Sequence, residues 1–306
     1  MDYKILANIL KEIMAISHIN SIDIGGLEPL LYDLDGKNIT HLISVINDLG
    51  ISVKITTNAS LLHMYCKQME SLNIDKIRIS LHTINEDFFR KITSSSQLDN
   101  VIKSILCAKD KLNIEINTLV FKGYEKYALE VINFAIMNNI PQKLYNLYKN
   151  PKYQNEFEEY YMPSSDLYLL LSQNLDFEKT TDIQYDNKRH RTIVESQDNI
   201  FTIKNDFNKE RSNKYCESCN FKLSCSEQFG EYLRVDPDFT CYPCYLRKDI
   251  RFNLLDNNVL YSLKTLLGSI NLRLIISRRC NFKCCFPNTS KTWCLKSGGK
   301  YQWLTD

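Results

Sequence analysis

The sequence predicts an α/β protein on a parallel sheet, open or closed as a barrel. Two observations predict it. Over the first 150 residues, apolar alternation of period two and helical apolar spacing take turns along the chain. The length, 306 residues, suits two domains or one barrel-sized domain with an appendage. Strands that alternate with helices pack as right-handed crossovers and so give parallel neighbours.

Ile5, Leu6, Ile9, Leu10 and Ile13 recur at helical spacing, and Ser21 to Ile24 (SIDI) form a short strand entering Gly25-Gly26. A helix over Ile39–Leu49 leads through Gly50 into the alternating strand ISVKITTN. Helix 60–72 precedes the strand DKIRISLH, helices 86–91 and 98–111 precede IEINTLVF, and helix 125–138 leads to Pro141 and QKLYNLY. That makes five strands separated by helices. Residues 151–212 differ, with an aromatic-rich helix over Phe157–Leu171 and a hairpin formed by QYDNKRHRTIVES and NIFTIKND. A helix over Val259–Leu267 then leads to a last strand, NLRLIIS.

Composition narrows the class. With 44% hydrophobic and 24% charged residues the chain can bury a full core, and its net charge of +2 gives no electrostatic case for nucleic acid or an anionic membrane. No apolar run approaches the roughly 18 residues of a membrane span. The opening MDYKILANILKEIM carries charges and lacks a small-residue cleavage site, so a cytoplasmic protein is expected.

Eleven cysteines in such a chain point to metal or redox chemistry rather than disulfides. Cys66 and Cys107 stand alone on apolar helix faces and read as buried thiols. The other nine lie between Cys216 and Cys294. In the first cluster, Cys216, Cys219, Cys241 and Cys244 have the C-x2-C…C-x2-C spacing of a structural zinc site, which leaves Cys225 without a role. Cys216, Cys219, Cys225 and Cys244 could instead hold an iron–sulfur cluster, leaving Cys241 spare. The second cluster, RCNFKCCFPNTSKTWC, contains Cys280, Cys284, Cys285 and Cys294. It directly follows a strand, on the face where parallel α/β barrels build active sites.

LRLIISRRCNFKC resembles the signature strand and loop of the radical S-adenosylmethionine (radical SAM) superfamily, whose usual motif is C-x3-C-x2-C. IGGLEPLL resembles that family's GGEP segment. VKITTNASLL, IDKIRISLHTINEDFFRKIT and INTLVFKG are similar to strands three to five of the subgroup containing the molybdenum-cofactor GTP cyclase. CESCNFKLSCSEQFGEYLRVDPDFTCYPCYLR resembles its auxiliary-cluster (SPASM/twitch-like) module. The family's order differs, since there the cysteine loop comes first. Placing the tail YQWLTD before MDYKILANILKEI restores a continuous loop-to-helix passage, so the sequence resembles a circular permutation with a bridge over roughly 255–270.

The resemblance implies a permuted, partial (β/α)6 TIM-type barrel. Residues 1–150 would hold strands two to six, 151–212 a connecting helix and hairpin, 213–255 the auxiliary iron–sulfur module, and 256–306 the bridging helix, first strand and cysteine loop. It implies two [4Fe-4S] clusters, one of which binds S-adenosylmethionine, and an electron donor such as flavodoxin or ferredoxin. Reductive cleavage of the cofactor would yield a 5′-deoxyadenosyl radical that abstracts hydrogen from a small-molecule or peptide substrate, in nucleotide cyclisation or peptide modification.

Cys280 and Cys284 match the motif, but Pro287 stands where the third thiolate belongs, leaving Cys285 or Cys294 as substitutes. That departure supports an alternative, a non-catalytic iron–sulfur or zinc-binding descendant. Glu28 would accept from the cofactor's amino group, beside Gly25, Gly26 and Pro29, although Leu27 replaces a usual glycine. Asn58, Ser80 and Asn117 match polar strand-end positions lining cofactor or substrate, and Phe286 matches an aromatic residue near the adenine.

Overall fold

The computed structural model describes residues 1–19, 21–26, 28–147, 154–176, 178–184, 190–196, 199–204, 214–220, 229, 232–244, 247, 249–256, 259, 272–275, 293–295 and 301–303. Its helices are α1 (Tyr3–Ile16), α2 (Ile39–Asn47), α3 (Leu62–Met69), α4 (Glu86–Thr93), α5 (Leu98–Ala108), α6 (Glu125–Met137), α7 (Gln154–Tyr160), α8 (Ser164–Asn174) and α9 (Lys214–Glu217). The five strands expected in the first half are β1 (Ser21–Gly25), β4 (Ser52–Thr57), β5 (Ile74–Ser80), β6 (Ile114–Leu119) and β7 (Gln142–Tyr145), with a small hairpin of β2 (Asp33–Leu34) and β3 (Lys37–Asn38) after β1. Farther on come β8 (Lys179–Gln184), β9 (His190–Ser196), β10 (Asn199–Lys204), β11 (Leu233–Val235), β12 (Thr240–Tyr242), β13 (Phe252–Asn253) and β14 (Leu272–Ile275). A terminal hairpin joins β15 (Trp293–Leu295) to β16 (Tyr301–Trp303).

The main sheet runs β13-β12-β11-β14-β1-β4-β5-β6-β7-β10-β9-β8. From β11 to β10 every neighbour is parallel, and antiparallel pairs finish both ends. The α/β class stands. Strand β14, from near the end of the chain, lies between β11 and β1, with Ile275 opposite Gly25.

Local chemistry explains the helices. The Asp2 side chain caps α1 by accepting from Lys4 N at 2.7 Å, and its stripe Leu6, Ile9, Leu10 and Ile13 is buried. Asn85 caps α4, where Glu86 and Asp87 in the first turn and Arg90 and Lys91 in the last complement the helix dipole. Two expectations for residues 151–212 need correction. The single helix over Phe157–Leu171 is two helices, because Pro163 offers no N–H and holds the preceding residue out of helical geometry. The hairpin is a three-stranded meander, with β10 joining β7 in the main sheet. Of the expected helix over Val259–Leu267, all but Val259 lies outside the described residues.

The sheet has two unlike faces. Ile22, Ile24, Val53, Ile55, Ile77, Ile79, Ile114 and Ile116 fill one, in a core shared with α1, α2, α3 and α5. The residues between them turn Asp23, Lys54, Lys76, Arg78, Glu115, Asn117 and Lys143 to the other. A parallel sheet buried by apolar contacts on both faces would show near-continuous hydrophobic runs. This one keeps a polar inner face, although Asp23, Asn117 and Lys143 on it are buried.

Candidate active site at the carboxyl ends of the strands

Glu28 caps the short 3-10 turn Pro29–Leu31 that leaves β1. Its Oε1 accepts from Leu30 N at 3.0 Å and from the Thr57 hydroxyl at 2.5 Å, while Oε2 accepts from Asn58 N at 2.7 Å. The end of β4 therefore grips a carboxylate delivered by the end of β1. Burial pushes the Glu28 carboxyl above its ordinary 4.5, against the lowering effect of the three hydrogen bonds. Oε2 keeps lone-pair capacity for a further donor, so the residue fits a cationic amino group. Gly26 has φ +130°, a conformation in which a side chain would be strained, and Pro29 pre-sets the turn.

Asn58 contributes its backbone N–H to this clamp. Its side-chain Oδ1 is engaged locally, accepting from Ser60 N at 2.9 Å and Ser60 Oγ at 2.8 Å. Ser80 and Asn117 are register partners at the ends of β5 and β6. Asn117 is buried, and its Oδ1 has no hydrogen-bond partner among the described residues. Gly25 lies beside β4, where an added Cβ would sit 3.9 Å from Thr56 Cβ. The structure thus gathers Gly25, Gly26, Glu28, Pro29 and Asn58 at one turn and sets Ser80 beside Asn117. Cys225, Cys280, Cys284, Cys285, Phe286 and Pro287 lie outside the described residues.

Deeper on the inner face, Arg78 Nη1 donates to Asp23 Oδ2 at 2.9 Å, and Glu115 Oε1 lies 3.6 Å from Arg78 Nε. Burial opposes the guanidinium charge, but Asp23 foremost, with Tyr145, Glu115 and Tyr232, outweighs it and holds Arg78 above its usual range. Sequence reasoning missed this network and the Thr57 clamp. Ion pairing across strands 55 residues apart leaves no spacing signal, although polar residues alternating with isoleucines, Lys76, Arg78 and Ser80 in β5 and Glu115 and Asn117 in β6, mark the polar face.

In the cysteine-rich segment, α9 and its turn bring Cys219 N to Cys216 O at 3.1 Å. Arg247 donates to Tyr215 O at 2.6 Å and pairs with Asp249. The Asp249 carboxylate foremost, and then Cys219 and Cys244, favour the Arg247 charge. Cys241 belongs instead to the core, fully buried with Leu233, Val235 and Phe239, and burial pushes its thiol up to about 12. Among the described residues, no three His, Cys, Asp or Glu side chains gather as a metal site.

A turn-borne carboxylate stands here at the carboxyl edge of a parallel sheet, over a polar inner face, the edge at which open α/β sheets take their ligands. Residues 1–135 match the family described as the Radical SAM superfamily, and the chain carries a radical SAM domain there. It is 24% identical over 249 residues to a probable GTP 3′,8-cyclase of Methanothermobacter thermautotrophicus, covering 78% of this chain and 72% of that protein. It is 31% identical over 146 residues to the GTP 3′,8-cyclase of Clostridium perfringens, covering 46% of this chain and 44% of the relative. Among solved structures, Streptococcus suis SuiB bound to S-adenosylmethionine superposes with a TM-score of 0.59 at 16% identity, covering 88% of this chain and 60% of that one. That likeness is one of fold. The domain match and the cyclase relatives indicate an enzyme. Among the described residues no helix is long and apolar enough to cross a membrane.

Proposed function

We propose that the chain cleaves S-adenosylmethionine reductively at a [4Fe-4S] cluster and abstracts hydrogen from an organic substrate. The observation that carries this reading is the register of β14. Ile275 lies opposite Gly25, so the described end of β14 stands at the edge where Glu28 is clamped. Cys280 stands five positions beyond Ile275 in the sequence, a reach of at most about 18 Å. That register supports reading β14 as the first strand in a permuted order.

In this reading Cys280 and Cys284, with Cys285 or Cys294, hold the cluster, and Glu28 receives the cofactor's amino group. The bound cofactor supplies one-electron, hydrogen-abstracting chemistry that no side chain here can provide. The protein orients it through the Glu28–Thr57–Asn58 clamp, with Gly25, Gly26 and Pro29 shaping the approach. Ser80 and Asn117 line the inner face, and Phe286 flanks the adenine. A flavodoxin- or ferredoxin-like donor reduces the cluster. The cyclase relatives support a nucleotide substrate, and the likeness to a fold that binds a precursor peptide supports a peptide.

For the auxiliary site, Cys241's place in the apolar core favours the iron–sulfur set Cys216, Cys219, Cys225 and Cys244 over the zinc quartet. Cys244→Ala is expected to remove about four irons per chain after anaerobic reconstitution, whereas Cys241→Ala retains them. Equal loss in both variants would restore the zinc-type quartet. Cys280→Ala should also lose about four irons and all release of 5′-deoxyadenosine. Unchanged release in that variant would refute the assignment of the tail loop. Pro287 supports the second reading, a non-catalytic metal-binding descendant that would bind iron or zinc and release no 5′-deoxyadenosine from any variant.

A further inference from the structure

Lys143 projects from the inner face of β7, in register with Asn117 of β6 and Thr202 of β10. The residue is 8% exposed, and its Nζ lies over the Tyr145 ring, 5.0 Å from the centroid. Among the described residues, no carboxylate pairs with this amine and no hydrogen bond reaches it. Beside it, Asn117 Oδ1 is a buried acceptor with no donor among them. A buried lysine with no carboxylate in direct contact among the described residues, next to an unfilled acceptor, is costly for a fold to keep.

We propose that Lys143 is an imine-forming residue that holds a carbonyl substrate, an aldehyde or ketone, against the inner face. The amine lone pair adds to the carbonyl carbon, and an amine proton passes to the oxygen. That oxygen takes a second proton from solvent and leaves as water, giving a C=N bond whose nitrogen keeps its remaining proton as an iminium, and no oxidant or reductant is consumed. Burial foremost, then Arg191 of β9, with Arg78 of β5 and Lys204 of β10, lowers the amine's pKa well below that of an ordinary lysine and so favours its neutral, nucleophilic form. Glu115 of β6 is the carboxylate that favours positive charge here, and it would balance the iminium. Asn117 Oδ1 can receive the iminium N–H. The same acceptor would repel a phosphate oxygen, which is why a carbonyl fits this place better than a phosphate.

The proposal rests on the inner face being the substrate chamber, but its test needs neither cluster nor S-adenosylmethionine. The full-length chain is treated with glyoxylate and sodium cyanoborohydride at neutral pH, and the modified peptides are mapped by mass spectrometry. Lys143 is expected to be carboxymethylated at least about tenfold faster than exposed Lys67, with no label at that position in Lys143→Arg. Its labelling should also level off at a lower pH than that of the exposed lysines. Label that spreads over exposed lysines and spares Lys143 in the wild-type chain overturns the proposal. So does inorganic phosphate binding that depends on Lys143 without any trapped adduct. Cofactor cleavage without trapping would remove this inference and leave the proposed function standing.

Discussion

Arg78→Met is expected to lower folding stability by about 3–5 kcal/mol, the range found when one member of a buried ion pair is removed. The Arg78 and Asp23 side chains are 19% and 7% exposed, and their 2.9 Å contact spans β4 to join β1 with β5. Taking away the guanidinium strips Asp23 of that partner and leaves Glu115 with Lys76 at 3.4 Å. The pair itself need not stabilise the fold. Replacing both members by apolar residues, as in Asp23→Leu with Arg78→Met, should recover most of the loss, because no buried charge is then left uncompensated. Urea midpoints for the two single variants and the double variant measure this directly. A loss below about 1 kcal/mol in Arg78→Met would place the pair in effective contact with water.

Glu28→Gln carries the second large effect. Oε1 already accepts two bonds and Oε2 one, so an amide NH2 must face either the Asn58 N–H or the Leu30 N–H and Thr57 hydroxyl. Each donor left unpaired costs about 1–3 kcal/mol. The lost charge should also weaken S-adenosylmethionine binding at least about tenfold, since hydrogen bonds between charged groups contribute roughly 1.5–3 kcal/mol. The pH dependence has a definite sign. Because the folded carboxyl titrates above 4.5, its stabilising contribution is full below that pH and is lost as pH rises through the raised value. Glu28→Gln should flatten that part of the stability profile, and a cationic ligand should favour the ionised carboxylate. An unchanged slope in the variant, followed by thermal unfolding from pH 4 to 8, would assign the effect to another group.

The helices and strands of the first half were legible because their burial is one-sided. Leu6, Ile9, Leu10 and Ile13 mark a helix stripe, and Val53, Ile55 and Thr57 mark a strand face. Glu28 was legible from its setting between glycine and proline. Thr57 was not, since its role depends on a contact 29 residues away in sequence. Lys143 was also invisible, because in QKLYNLY a lysine looks like the solvated side of an edge strand. It is buried because β10 continues the sheet beyond β7, a pairing formed after two intervening helices and a hairpin. The break at Pro163 could have been read locally, but the apolar spacing on both sides of it masked the stop.

Central to this account is that the tail's thiolates and the Glu28 turn serve one S-adenosylmethionine site. The most direct measurement is anaerobic reconstitution of the full chain with iron and sulfide, then reduction, addition of S-adenosylmethionine and quantification of 5′-deoxyadenosine. The account predicts about eight irons per chain and release that depends on the cofactor. Four or fewer irons with no 5′-deoxyadenosine would contradict it.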